Sequence, residues 1–151
     1  MQTTPWSRSP NTLDRMSRRG LDPDRVSAEF REFWAERRTG LLVTPRRDGT
    51  PHVVAVGVTL DVEAGIARVI CSRGSQKVRN VVAGGSVGVR AVVSQVDGRR
   101  WSSLEGRAVV REDPESVAEA ERRYAMRYRV PRVNPQRVVI EIGIDRLLGL
   151  A

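Results

Sequence analysis

Apolar residues recur along this chain with two different periods, and the switches between them mark out its elements. From Asp22 the period is helical: Val26, Phe30, Phe33 and Trp34 fall at i, i+4, i+7 and i+8, on one face of an α-helix. Asp22 is the candidate N-cap, Pro23 suits the first helical position, and Gly40 ends the helix. Leu41 to Thr44 then reads as a strand, Asp48-Gly49 as a hairpin turn, and His52 to Leu60 as one long, nearly unbroken apolar strand. A turn near Ala64-Gly65 leads into Ile66 to Cys71, whose apolar and β-branched residues read as a buried strand. Gly74-Ser75 breaks that run and opens a short helix through Ala83, which Gly84-Gly85 stops. Val87 to Gln95 is the next strand, Asp97-Gly98 a third hairpin turn, and Trp101 to Val110 an alternating strand. Asp113-Pro114 caps a second long helix with Val117, Ala120, Tyr124 and Tyr128 on one face. A Pro-bounded loop from Val130 to Pro135 precedes the last strand, Arg137 to Ile144.

This order predicts a mainly β protein with flanking helices, in which six mostly antiparallel strands form a small closed or split barrel. Closure removes the strand edges that would otherwise pair with other chains. The apolar strands outnumber what two long helices can cover, so a homodimer that buries a further sheet face is expected. Residues 1–21 hold Pro5, Ser7, Ser9, Pro10 and Asn11 with no apolar period and read as a flexible N-terminal arm, in which Trp6 is the residue suited to dock. Residues 22–151 then make one domain.

Composition narrows the partners. The chain is 40% hydrophobic with few aromatics, which favours a sheet-rich globular fold. No apolar run approaches the ~20 residues that span a bilayer, and the N-terminus lacks a signal-peptide core, so no membrane partner and a cytoplasmic location are expected. The single cysteine, Cys71, cannot form an internal disulfide, and no Cys/His group has metal-ligand spacing, so no metal is expected. A net charge of +8 calls for an acidic partner or none. Nucleic acid is not the expected one, because the basic residues are not gathered on one helix with interleaved aromatics; a basic nucleic-acid-binding barrel stands as a distant rival.

Candidate chemistry concentrates between Ile66 and Asn80. This stretch holds Lys77, the only lysine beside 25 arginines. A strand, a glycine turn and a helix start make an anion site, since the first N–H groups of a helix lack intrahelical partners. Ser75, Gln76 and Lys77 would supply the donors and a cation, with Arg73 and Arg79 nearby; the alternative is a surface helix start with solvated basic residues. His52, the only histidine, follows Pro51 without the local signature of a Ser-His-Asp or Cys-His enzyme. It reads as a strand-edge polar residue, with cofactor contact its best functional use. Cys71-Ser72-Arg73-Gly74 looks like a phosphatase loop, but Lys77 stands where that motif requires arginine, and Cys71 reads as a small buried hydrophobe. There is no P-loop and no G-x-G-x-x-G after a strand. A redox cofactor suits such a chain, since it brings its own reactive atom and needs no acid/base constellation.

Four blocks then carry a resemblance: P-H-V-V-A-V-G at 51–57, I-A-R-V-I with G-S-Q-K and Asn80, S-Q-V-D-G-R-R-W-S-S-L-E-G-R-A at 94–108, and R-Y-A-M-R-Y-R-V-P-R-V-N-P-Q-R-V-V-I-E-I at 123–142. Together they resemble the deazaflavin-dependent biliverdin reductases, flavin/deazaflavin oxidoreductases with the pyridoxamine-phosphate-oxidase-like split barrel, over about residues 22–149. The resemblance implies a homodimeric, six-stranded antiparallel split β-barrel that binds coenzyme F-420, an 8-hydroxy-5-deazaflavin, between subunits and passes its hydride to biliverdin, giving bilirubin. FMN is the alternative cofactor. A different substrate, or a non-catalytic carrier of deazaflavin or tetrapyrrole, is the alternative role. By this likeness His52, Val53, Val54, Ala55 and Val56 lie along the deazaflavin ring. Ser72, Arg73, Gly74, Ser75, Gln76 and Lys77, with Asn80, hold its phosphate. Gln95 and Trp101 face the cofactor groove, Trp101 reading equally as core packing. Arg129, Arg132 and Asn134 reach in from the partner subunit toward carboxylates of cofactor or bilin, or are solvated loop residues. The protein itself supplies no catalytic residue. The arm at 1–21 is longer than the family's, and Arg73 stands where a small residue would be unremarkable.

Overall fold

The structure, a computed structural model, describes residues 21–151. The expected arm, with Trp6, lies outside the described residues except for Leu21, which is buried in the core. The first helix, α1 (Ala28–Ala35), is shorter than its apolar period predicts. Asp22 does not cap it. The Asp22 carbonyl instead accepts from Arg25 and Val26 N–H at 3.1 and 3.3 Å, forming a separate turn, and the chain is extended at Ser27 before the helix starts. Ser27 is the N-cap, its hydroxyl accepting from Phe30 N–H at 3.0 Å. Phe30, Phe33 and Trp34 are buried as predicted, and each large apolar side chain so buried contributes ~1.5–3 kcal/mol.

Seven strands follow rather than six: β1 (Gly40–Pro45), β2 (Pro51–Val56), β3 (Thr59–Asp61), β4 (Ile66–Ser72), β5 (Val89–Asp97), β6 (Arg100–Arg111) and β7 (Arg137–Gly149). All ladders are antiparallel, in the order β2-β1-β5-β6-β7-β4-β3. The extra strand comes from the apolar run His52–Leu60, which is not one strand. At Gly57-Val58 it leaves β1 and crosses to β4, so its halves form opposite edges of the same sheet. The sheet therefore curls until its edges meet at this joint, yet no ladder links β2 to β3 and the sheet stays unclosed.

Two features of sequence make the joint. Gly57 has no side chain because a Cβ there would lie 2.7 Å from Tyr124 Cε2. The peptide of Val58 bonds away from the sheet: its N–H donates to Tyr128 Oη at 3.2 Å and its carbonyl accepts from Arg127 Nη1 at 2.5 Å. Elsewhere β6 and β7 run past one another with a bulge at Glu105/Gly106, where a Cβ on Gly106 would meet the Gly143 carbonyl. This close pairing carries β7 beyond Ile144, the end expected from the sequence, to Gly149.

Two helices flank the sheet near the joint. Helix α2 (Gln76–Val82) packs on β1 and β6, and α3 (Pro114–Arg127) on β3, β4 and β7. Asp113 caps α3, accepting from Ser116 N–H at 3.0 Å. Arg123 of α3 pairs with Asp61 of β3 at 3.0 Å, and Asp61 also holds Arg68 of β4 at 3.3 Å, which fixes the helix over that sheet edge. No described helix is long and apolar enough to cross a membrane.

Candidate functional site

The ends of these elements enclose a cleft of about 500 Å³. Ala55 and Val56 of β2 and Gly57 form one wall, Ile70 of β4 and Lys77 of α2 another, and Tyr124 with Arg129, Pro131, Arg132 and Arg137 the third. Lys77 owes its place to the turn after β4. There Ser72 O accepts both Ser75 N–H at 3.0 Å and the Ser75 hydroxyl at 2.8 Å, and Arg73 N–H donates to Gln136 O at 2.8 Å. Because the Ser75 hydroxyl is directed at the turn, it makes no capping bond to the first N–H groups of α2. A side chain at Gly74 would meet nothing within 4 Å, so the turn is open on that side.

Helix α2 is pinned from beneath. Asn80 is buried, donates to Thr44 Oγ1 at 3.1 Å and accepts from Gln76 Nε2 at 2.8 Å. The side chains of Gln76 and Asn80 therefore face each other and β1, while Lys77 faces the cleft. Arg73 pairs with Glu112 at 3.3 Å and does not line the cleft.

The other sequence-selected residues divide. Of the β2 group, Ala55 and Val56 line the cleft; Val53 projects from the outer face of the sheet. His52 stands opposite Thr44 with its Nδ1 buried and unpartnered. Gln95 does not face a groove: it is 3% exposed, donates to Phe33 O at 2.7 Å and accepts from Arg127 Nη2 at 2.9 Å. An inward-facing strand position forces its amide to be satisfied inside the protein. Trp101 is neither in this cleft nor in the core, being 46% exposed opposite Val96 on the outer face. Arg129 and Arg132 line the cleft of their own chain, and Asn134 donates to Ser72 Oγ at 2.9 Å. The loop expected to reach in from a partner is thus docked on the turn that precedes Lys77.

Sequence reasoning missed Gly57, Ile70, Tyr124, Pro131 and Arg137 as lining residues. Tyr124 was visible only as a helix-face residue; in the structure its ring stacks on Tyr128 at 4.9 Å between centroids and reaches the cleft. Arg137 carried no signal beyond being one arginine among many.

Electrostatically the cleft is one-sided. Of its four cations, Arg137 pairs with Glu121 at 3.2 Å, whereas Lys77, Arg129 and Arg132 have no carboxylate partner among the described residues. Cys71 lies close by, but burial pushes its thiol up to about 11 against the opposing pull of Lys77. It is protonated at neutral pH and is no nucleophile, which removes the phosphatase reading. No group of three or more His, Cys, Asp or Glu side chains is placed to hold a metal among the described residues. The cleft sets cations beside the Tyr124 ring and, among the described residues, is lined by no paired acid and base.

The profile of the family described as pyridoxamine 5'-phosphate oxidase matches residues 26–151. The chain is 54% identical over 127 residues to the F420H(2)-dependent biliverdin reductase of Mycobacterium tuberculosis, covering 84% of this chain and 90% of that protein. Among solved structures, a conserved hypothetical protein of Mycobacterium tuberculosis aligns with a TM-score of 0.65 and 27% identity over 80% of this chain and 81% of that one. A structure described as an F420 reductase aligns with a TM-score of 0.63 and 24% identity, over 82% of this chain and 98% of that chain, a likeness of fold.

Proposed function

The chain belongs to the pyridoxamine 5'-phosphate oxidase family, and from that membership and its 54% identity to F420H(2)-dependent biliverdin reductase we propose that it is an oxidoreductase that uses reduced coenzyme F-420 to convert biliverdin to bilirubin. The observation that carries this reading to the site is the cleft beside Lys77, in which three cations lack carboxylate partners among the described residues. When bound, the reduced deazaflavin supplies the hydride. The residues present suit such a ligand: Lys77 and the open Ser72–Ser75 turn would take its phosphate, Ala55 and Val56 would lie along its ring, and Arg129 and Arg132 would take carboxylates of the cofactor tail or of the bilin propionates. Asn80, Gln76 and Asn134 act behind them, holding helix and loop in place. The chain's work is then alignment and the electrostatic holding of two polyanions.

The same reading includes a split barrel that works as a homodimer in the cytoplasm, where free Cys71 stays reduced. Its support for the dimer is a row of register partners, Ala55–Leu41–Ser94–Ser103–Leu148, that crosses one face of β2-β1-β5-β6-β7. Val53, Val96 and Trp101 project from the same face, and Leu41, Val53, Val96, Trp101 and Leu148 are exposed. A second copy would cover this apolar surface. A solution mass equal to one 16.8 kDa chain would remove that part of the reading.

Activity is tested by titrating the purified protein with oxidised coenzyme F-420 and separately with FMN, following fluorescence, and then adding biliverdin to the complex with the reduced cofactor. The expected result is preference for the deazaflavin and bleaching of the bilin band as the cofactor reoxidises. Binding of both ligands without bleaching would make the protein a carrier, and preference for FMN would move it to another branch of the family.

A further inference from the structure

We propose that Arg137 is an additional anion-binding residue of the cleft, taking one acid group of the ligand, a phosphate or a carboxylate, on the Nε–Nη2 edge of its guanidinium. The residue opens β7 and stands opposite Ser72 in the β4–β7 ladder, so it sits across from the turn that introduces Lys77. Its backbone N–H donates to Asn134 O at 3.1 Å, which fixes where the side chain starts. The side chain is 11% exposed and lines the cleft.

The distribution of its donors identifies what it lacks. Both of its side-chain bonds leave from Nη1, one to Arg132 O at 2.7 Å and one to Glu121 Oε2 at 3.2 Å. Nε is buried with no partner, and Nη2 has no acceptor among the described residues. Those two nitrogens form one side of the planar fork, with parallel donors spaced for the two oxygens of a carboxylate or phosphate. Arg127, the buried arginine at the end of α3, is the internal contrast. Its Nε, Nη1 and Nη2 donate to Glu36 O, Val58 O and Gln95 Oε1, so each of its three nitrogens is engaged within the fold. A donor left unpaired inside a protein is unfavourable, and because Arg137 lines the cleft, an acid group that reached this edge would remove the deficit. Glu121 is the internal competitor, because it draws on the same positive charge from the opposite side.

This inference rests on the cleft being the ligand site. Its test measures dissociation constants of oxidised coenzyme F-420 by fluorescence and of biliverdin by absorbance, at one ionic strength, for the full-length wild type, Arg137→Gln, Arg137→Lys and Glu121→Gln. Arg137→Gln is expected to weaken one of the two ligands about tenfold or more, and the ligand affected identifies the source of the acid group. Arg137→Lys, which keeps the charge and loses the fork, falls between. Glu121→Gln is expected to tighten the same ligand by about two- to threefold, the range of a partly exposed ion pair. Unchanged constants in Arg137→Gln overturn the proposal. So does weakening in Glu121→Gln, because then the pair merely clamps the loop. Should Arg137→Gln fail to fold, Glu121→Gln decides alone: tightening supports the proposal, and no change or weakening overturns it. A wild type that binds neither ligand overturns the reading of the cleft and this inference with it, whereas wild-type binding with unmoved variants overturns the inference alone.

Discussion

Lys77 is the residue on which most of the ligand's charge should converge. Removing it as Lys77→Ala is expected to raise the dissociation constant for coenzyme F-420 by roughly tenfold or more, since a charge-assisted hydrogen bond contributes ~1.5–3 kcal/mol. Because it is the only lysine, the same point has a chemical footprint: an amine-acylating reagent read by mass spectrometry should modify Lys77 in the free protein and spare it in the complex. Equal modification in both would move the anion elsewhere. Cys71 makes a prediction of opposite kind. Its thiol titrates near 11 when folded and at its ordinary 9.0 when unfolded. Below pH 9.0 both states hold the proton; between 9.0 and about 11 the unfolded chain releases it first, so stability falls across that window. Urea midpoints measured through this range should fall less steeply in Cys71→Ala than in the wild type.

Between elements, the Gly57-Val58 joint is the point that the rest of the cleft depends on. Arg127 bridges it to β5 and to the end of α1, with its guanidinium 5.8 Å from the centre of the Trp34 ring. Arg127→Met would leave the Glu36 carbonyl and the Gln95 amide oxygen without their donor and the Val58 carbonyl with only the Tyr128 hydroxyl, and should lower stability by about 3 kcal/mol, visible as a reduced urea midpoint. This joint also shows where sequence reading stops. Hydrophobic period and Asp-Gly pairs located the helices, though not the ends of α1, the turns at Asp48-Gly49 and Asp97-Gly98 and most of the strands, because each is fixed by neighbours in sequence. The division of His52–Leu60 is not so fixed: both halves are apolar, and the break is imposed by Tyr124, Arg127 and Tyr128, far along the chain. The cleft divides in the same way. Lys77 follows from its local turn, and Arg129 and Arg132 from the resemblance. Gln95 misled because polarity at a strand position does not say which face it takes, and Arg137 was hidden because the open edge of a guanidinium is a property of its surroundings.

For the whole molecule the governing quantities are its charge and its uncovered face. A net charge of +8, with three exposed or half-buried cleft cations that lack carboxylate partners among the described residues, should make coenzyme affinity fall as salt rises, and less steeply in Lys77→Ala. The outer face predicts the assembly: Leu41→Arg or Trp101→Arg should shift the solution mass toward that of a single chain, measured by light scattering, with little change in helix and strand content by circular dichroism. One further consequence lies in the strand order. β7 comes late in the sequence but sits inside the sheet, between β6 and β4, and it is the only strand that joins β2-β1-β5-β6 to β4-β3. As the chain leaves the ribosome, the two halves of the sheet must therefore wait for it, each with one inner edge unpaired. The nascent chain is open to other chains and to chaperones until residues 137–149 have left the ribosome and paired on both sides.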